Sequence, residues 1–310
     1  MKIHTSRDVQ LALEREQPIL ALESTIIAHG MPFPDNLKFA QRGESLCRDQ
    51  GVTPAMIAII NGEIHVGLEK DLLIFIAEDD SVRKTSRREL GIAIAEKWHG
   101  ATTVSSTMYI AHQVGIPIFS TGGIGGVHRG AENSFDISQD LFALANIPMV
   151  VISAGAKAVL DLPKTLEMME TLSITVIGYK TNEFPAFYSQ SSGCFGIHPI
   201  SSSGGVAALF RENISAGLSA SVLVANPVPL KDEIPAQEIE SIINASCKAA
   251  RTQNITGKDL TPFLLKDILD KTSGRSLETN RALAINNIKL GIDIAKELAN
   301  LEKCLHRCLK

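Results

Sequence analysis

The chain is poor in the features that mark several protein classes. Only 5% of its 310 residues are aromatic, with a single tryptophan, and 30 Lys plus Arg against 34 Asp plus Glu leave a formal charge of -4. Without a basic excess, coating of nucleic acid and a polybasic hold on a membrane are excluded as principal roles. No apolar run approaches the roughly 18 residues of a spanning helix, and the opening MKIHTSRDVQLALEREQP lacks the apolar centre of a secretory signal. The expectation is therefore a cytoplasmic protein with no membrane and no nucleic-acid partner. Cysteine is scarce as well. Cys47, Cys194, Cys247, Cys304 and Cys308 make an odd set without a C-x-x-C pair, which predicts reduced thiols rather than a disulfide framework or zinc knuckle. Cys304, His306 and Cys308 lie close together, but a metal there would need further ligands that the nearby sequence does not supply.

What is present is an ordinary globular composition, 45% hydrophobic and 21% charged, enough to bury a large core. Short apolar, β-branched runs recur as PILALEST, AMIAIING, IPIFSTGG, IPMVVISAG, ITVIGYKT and SASVLVANP, each followed by helical spacing or a polar loop. That alternation is an α/β pattern. Asn61-Gly62 separates AMIAII from EIHVGL and suits a tight hairpin, so the sheet is expected to be mixed. Polar caps ahead of periodic apolar residues predict helices over 6–16, 35–50, 86–98, 105–114 and 138–145. Beyond about Pro235 the pattern is wholly helical, over 238–252, 261–271 and 276–301, with Gly257 and Gly274 as breaks. No linker, repeat or low-complexity tract divides the chain, although 189–205 reads as a long polar loop. The expected architecture is one domain over 1–310, a three-layer α/β/α fold with a mixed β-sheet and a helical C-terminal cover.

In such folds ligands meet the loops leaving the carboxyl ends of strands. Glu23 ends the first strong run, where desolvation would raise its pKa as a general acid requires; an ordinary strand-end carboxylate fits equally. Arg83-Lys84-Thr85-Ser86-Arg87-Arg88 is a basic cluster entering a helix, suited to a phosphate or carboxylate, or else a solvated helix start. Ser120 to Gly130 carries five glycines and offers His128 and Arg129, yet matches neither G-x-G-x-x-G nor a Walker loop. Asp136 and Asp140 stand four apart, on one side if the segment is helical; such hard oxygen ligands suit Mg²⁺ or Mn²⁺, and Ser138 and Asp140 also suit a helix cap. Lys157 reads as one turn into the element after VVIS, among small residues, where a desolvated amine would be a Schiff-base nucleophile. Asn280 lies in an amphipathic helix, facing a ligand or bonded locally.

Together the strings ALESTIIAHGMPFP, KTSRREL, GATTVSST, STGGIGGVHRGAE, FDISQDL, SAGAKAVLDLPKTLE, GYKTNEFPAFY and ITGKDLTPFLL resemble the motifs of the pseudouridine-5′-phosphate glycosidase family, related to indigoidine-synthase-A-like proteins. The resemblance spans nearly the whole chain. It implies that Lys157 is the covalent nucleophile, Glu23 the proton donor and Asp136 a ligand of Mn²⁺, with Mg²⁺ as the alternative and no organic cofactor. Lys84 and Val104 match substrate-contacting positions, Ser138, Gln139 and Asp140 a substrate segment beside the metal, and His128, Arg129 and Asn280 further pocket residues. A homotrimer that interconverts pseudouridine 5′-phosphate with uracil and ribose 5-phosphate is implied. Gln139 and Ser106 depart from the small residues expected at their positions. A different Schiff-base lyase or aldolase of phosphosugars, and a noncatalytic phosphosugar-binding module, are the competing readings.

Overall fold

In a computed structural model, the structure describes residues 2–253, 255 and 260–308, including side chains except those of 261, 262 and 302–308. Gly257 and the side chains of Cys304, His306 and Cys308 therefore lie outside the described residues. The strands are β1 (Ile3–Thr5), β2 (Ile19–Glu23), β3 (Thr53–Ile60), β4 (Glu63–Val66), β5 (Arg83–Thr85), β6 (Gly100–Thr102), β7 (Ile118–Ser120), β8 (Val150–Ser153), β9 (Thr175–Tyr179), β10 (His198–Ile200) and β11 (Val222–Ala225). They form one mixed sheet in the order β1-β4-β3-β2-β7-β8-β11-β9-β10, with β5 and β6 attached beside β3. The six apolar runs became β2, β3, β7, β8, β9 and β11. Every residue of β2, β8 and β11 is buried, which requires helices on both faces and explains why these strands read as unbroken apolar runs rather than alternating ones.

The antiparallel elements come from two places. Asn61 and Gly62 both take positive φ, 49° and 75°, closing the β3–β4 hairpin as the Asn-Gly pair predicts. β6 also runs against β3. Central side chains such as Phe119, Ile57, Ile59 and Leu20 are inaccessible to solvent, each contributing about 1.5–3 kcal/mol by leaving water.

Most expected helices form within a residue or two of their predicted ends. Ser6 caps Arg7–Glu14 by accepting from Val9 N at 3.3 Å, and Ser138 caps Gln139–Asn146 by accepting from Asp140 N at 3.2 Å. The C-terminal cover comprises Ala236–Thr252, Leu260–Lys271 and the long Arg275–Cys308. Gly274, at φ 89°, precedes the last of these.

Several local readings are corrected. The basic cluster does not simply enter a helix: Arg83–Thr85 is a strand, and Ser86 then makes a capping box for a single 3₁₀ turn, Arg87–Glu89. Segment 189–205 is not all loop, since it contains β10 and the start of Ser203–Ser215. Lys157 lies in a loop, the next helix beginning only at Leu162; no helix N-terminus underlies it. Asp136 precedes the helix that holds Asp140, so the two carboxylates do not share a helical face.

Candidate active site

The site exists because β6 runs antiparallel to β3. β2 and β6 occupy one edge of β3 end to end, Glu23 opposite Ile57 and Ala101 opposite Ala58. The chain leaving β2 and the chain leaving β6 thus arrive at one point from opposite directions. Hydroxyls lock the junction. Ser24 Oγ donates to Ile57 O at 2.6 Å and accepts from Thr102 N at 2.9 Å, while Thr25 Oγ1 donates to Thr102 O at 2.8 Å. β7 and β8, both parallel to the β2 direction, deliver Thr121 and the Lys157 loop to the same edge.

Together these exits enclose a cavity of about 300 Å³ whose walls include Glu23, Lys84, Val104, His128, Asp136, Ser138, Gln139, Asp140 and Lys157. An adjoining cavity of about 60 Å³ shares Glu23, Thr25, Lys84 and Lys157 and adds Ile26, His29, Phe187, Leu265 and Asn280. The first is rich in polar groups; the second is smaller and more apolar. Glu23 and Lys157 stand where the two meet.

Glu23 is buried, and its Oε1 accepts a hydrogen bond from Thr121 Oγ1. Burial pushes its pKa up, against the pull of Lys157, Thr121 and Lys84. A carboxyl group held this way keeps its proton to higher pH than an exposed glutamate, as a general acid must. Lys157 is positioned through the backbone: its N–H donates to Ile124 O at 3.0 Å, and Ile124 N donates to Gly155 O at 3.1 Å. Gly155 takes φ 83°, and a Cβ there would meet Pro185 O at 2.4 Å, so only glycine permits this loop.

Asp140 has a structural task. Its Oδ1 accepts from Ser105 N at 3.1 Å and its Oδ2 from Gly125 N at 2.8 Å, joining the β6 exit to the glycine-rich loop. A Cβ on Gly125 would lie 2.2 Å from Ser138 Oγ, so that glycine admits the Ser138 segment. The two departures from the family pattern also act as ties. Gln139 Oε1 accepts from Arg88 N at 3.2 Å, and Ser106 Oγ donates to Thr85 O at 2.7 Å. Asp136 is only half-buried, with Oδ2 3.9 Å from His128 Nδ1. Burial holds the His128 imidazole below its ordinary pKa, opposed by Asp136 and reinforced by Lys84 and Lys157. Burial thus disfavours the charged form of His128.

Arg129 does not reach the cavity wall. Its guanidinium turns to the C-terminal cover, donating to Glu240 Oε1 at 2.7 Å and Asn244 Oδ1 at 2.9 Å, and to Ala158 O at 3.3 Å. The basic cluster is similarly divided: Arg83 lies over the Trp98 ring at 4.4 Å and Arg87 over Tyr109 at 5.0 Å, leaving Lys84 and Arg88 at the cavity. The sequence reading missed Thr25, Thr121 and His29, whereas Arg88 stood in the basic cluster it singled out. Thr25 and His29 stood in the quoted ALESTIIAHGMPFP, and their place beside a buried acid was the available signal.

A family model described as indigoidine synthase A like protein matches residues 8–297. The chain belongs to the indigoidine synthase A-like family. Among curated relatives, a pseudouridine-5′-phosphate glycosidase of Mesorhizobium japonicum is 49% identical, covering 94% of this chain and 95% of its own. Its counterpart in Staphylococcus aureus is 48% identical over 94% of this chain and 95% of its own. Of solved structures, an indigoidine synthase A-like protein of Thermotoga maritima superposes with TM-score 0.88 at 34% identity, covering 96% and 97% of the two chains. The prealnumycin C-glycosynthase AlnA, in complex with ribulose 5-phosphate, superposes with TM-score 0.91 at 29% identity, covering 98% and 99%. The resemblance carried by the motifs is thereby borne out, and so is the three-layer α/β/α fold. Among the described residues no helix is long and apolar enough to cross a membrane.

Proposed function

We propose that this chain reversibly cleaves the C–C glycosidic bond of pseudouridine 5′-phosphate to uracil and ribose 5-phosphate, through an adduct of Lys157 with the ring-opened sugar. The observation that carries the reading is the placement of one buried carboxyl, Glu23, and one amine, Lys157, at the boundary of a polar and an apolar cavity. The relatives' shared name supports the substrate, and a neighbour's complex with a pentose phosphate supports its class.

A carbon-linked base cannot leave by protonation of an exocyclic heteroatom, the usual route of two-carboxylate glycosidases. Electron push from uracil N1 breaks C1′–O4′, and O4′ departs with a proton. The Lys157 amine adds at C1′ and loses a proton. Glu23 then protonates uracil C5. The nitrogen lone pair forms C1′=N as C1′–C5 breaks, and the bonding pair restores the C5=C6 double bond of uracil. Water hydrolyses the iminium to ribose 5-phosphate and frees Lys157, so the sum is substrate plus water to uracil plus sugar phosphate. Lys84, Arg88 and Ser138 hold the phosphate, with His128 as a hydrogen-bonding partner.

Asp136 fits a divalent ion, Mn²⁺ or Mg²⁺, that keeps most of its water. It offers an oxygen donor at the cavity wall, whereas Asp140 is committed to backbone amides, and among the described residues no three His, Cys, Asp or Glu side chains form a cage. When bound, the ion supplies positive charge near the phosphate. A cytoplasmic homotrimer completes the proposal. Chromatographic detection of uracil released from pseudouridine 5′-phosphate with added Mn²⁺ tests it, and absence of uracil refutes it. Borohydride reduction with ribose 5-phosphate should label Lys157 in a peptide map; a label on another lysine refutes the nucleophile.

A further inference from the structure

The long helix Arg275–Cys308 lays a nearly continuous apolar stripe on the sheet, with Leu283, Ala284, Ile288, Ile294, Ala295 and Leu298 all buried. Asn287 interrupts it and is wholly inaccessible. A buried primary amide among aliphatic side chains costs about 1–3 kcal/mol unless its hydrogens and oxygen find partners. Asn287 finds them at the carboxyl ends of two strands, and through one of its partners it is linked to a third. Its Nδ2 donates to Thr121 O at 2.8 Å and Gly122 O at 3.3 Å, and its Oδ1 accepts from Asn226 Nδ2 at 2.9 Å. Asn226 N in turn donates to Ser153 O at 2.8 Å. The amide therefore gathers the residues leaving β7, β8 and β11.

What it gathers is the ground under the reacting groups. Thr121 is the residue whose hydroxyl donates to Glu23 Oε1. Gly122 O also accepts from Ala154 N at 2.9 Å, three residues before Lys157. With Oε1 occupied as an acceptor from Thr121, Oε2 is the oxygen left to serve the substrate. A leucine of similar volume at 287 would fill the space but leave the Thr121 carbonyl without its donor, loosening the Thr121–Gly122 peptide plane while Thr121 N still donates to Ile152 O at 3.0 Å.

We infer that Asn287 is a positioning residue of the candidate active site: through the Thr121 carbonyl it holds the Thr121 hydroxyl against one oxygen of Glu23 and so presents the other to the substrate. The inference rests on the proposed glycosidase reading for its kinetic consequences but not for its geometry. Its effect belongs to the proton-transfer step, so it falls on kcat and spares KM.

The test is a double-mutant cycle of Asn287→Leu and Thr121→Val, read by uracil release and by infrared spectroscopy of the protonated Glu23 carboxyl at mildly acidic pH, the band being assigned by its loss in Glu23→Gln. Each single variant is expected to lower kcat by about tenfold to a hundredfold, with KM within about threefold. The double variant should be little worse than either single one, because both act through one hydroxyl. Both single variants should displace the carboxyl band alike, and Thr121→Ser should restore band and rate. Multiplicative losses, an unmoved band in Asn287→Leu, or a loss confined to KM overturns the inference. Asn287→Val, smaller and without donor hydrogens, is the second variant and should behave as Asn287→Leu; failure of both to fold assigns Asn287 to stability alone and also overturns it. The infrared arm separates the two ideas, since a chain that releases no uracil still reports whether Asn287 orders Glu23.

Discussion

Two of the buried glutamates, Glu23 and Glu44, face different cavities, and the contrast between them says more than cavity size does. The larger hollow, about 570 Å³, is lined by Glu44, Arg48, Arg7, Asp8 and Lys70 among others. Glu44 there has its pKa raised by burial, as Glu23 does. Yet Glu44 is answered one helical turn away, Arg48 Nη1 lying 3.0 Å from Oε2. Such a pair is complete within one helix and asks nothing of a ligand. Glu23 is held by a neutral hydroxyl just past the end of β7, and the amines that face it, Lys157 and Lys84, come from a further loop and from β5. Perturbation by burial is common to both; convergence of groups from distant segments is not, and that convergence is what marks a reactive site.

The comparison can be broken most forcefully by removing amines. Lys157→Ala should lower uracil release on the order of 10⁴-fold or more, as loss of a covalent nucleophile does, while Arg48→Ala in the larger cavity should stay within about twofold. Equal losses, measured by chromatography on folded protein, would erase the distinction. Glu23→Gln should cost about 10²- to 10⁴-fold in kcat, and Glu44→Gln almost nothing.

A subtler contrast lies in stability. A carboxyl whose folded pKa is raised above its ordinary 4.5 binds its proton more tightly when folded, so it favours the fold at low pH and loses that contribution as pH rises from about the unfolded value through the folded one. Glu23→Gln should thus gain melting temperature over the unmodified protein as pH is raised from acid to neutral, by on the order of a few degrees. Glu44→Gln should gain less, because it also gives up the bond to Arg48. Calorimetry across that range decides it; a Glu23→Gln difference that shrinks with rising pH contradicts the assigned burial. The smallest effect is expected at Arg129. Its pairs lie with the C-terminal cover, so Arg129→Ala should leave KM within about twofold and cost about 1 kcal/mol of stability. A tenfold rise in KM would return Arg129 to the substrate.

The sequence was most legible where its signals are local. Buried central strands are continuous β-branched runs, Asn61-Gly62 requires left-handed φ, and Ser6 and Ser138 each cap the helix that begins at the next residue. β1, β5, β6 and β10 were missed because three-residue strands carry no periodicity of their own; they form because a neighbour offers a free edge. Lys157 was placed on a helix because small residues after a strand look like a helix start, whereas the Gly155 turn and the pairing of Ile124 with Gly155 hold the segment open. Arg129 was drawn into the pocket with its neighbour His128, although the chain turns at 128–131, Ala131 N donating to His128 O at 3.0 Å, and the guanidinium bonds to Glu240 and Asn244. Asn287 was visible in principle, as the one amide in the apolar stripe of its helix, but its partners are some 165 residues away.

Order along the chain, the kind of fold, the family and the residue types available for chemistry follow from composition, periodicity and motif, because each depends on a few consecutive residues. Which carboxyl is buried beside amines and which is bonded as a strut was decided only in three dimensions. Glu23, Glu44, Asp136 and Asp140 are alike as letters. Their difference is made by what burial brings beside them, an arginine one turn away, two backbone amides, an imidazole or a pair of amines, and desolvation and hydrogen bonding act over a few ångströms of space whatever the separation in sequence.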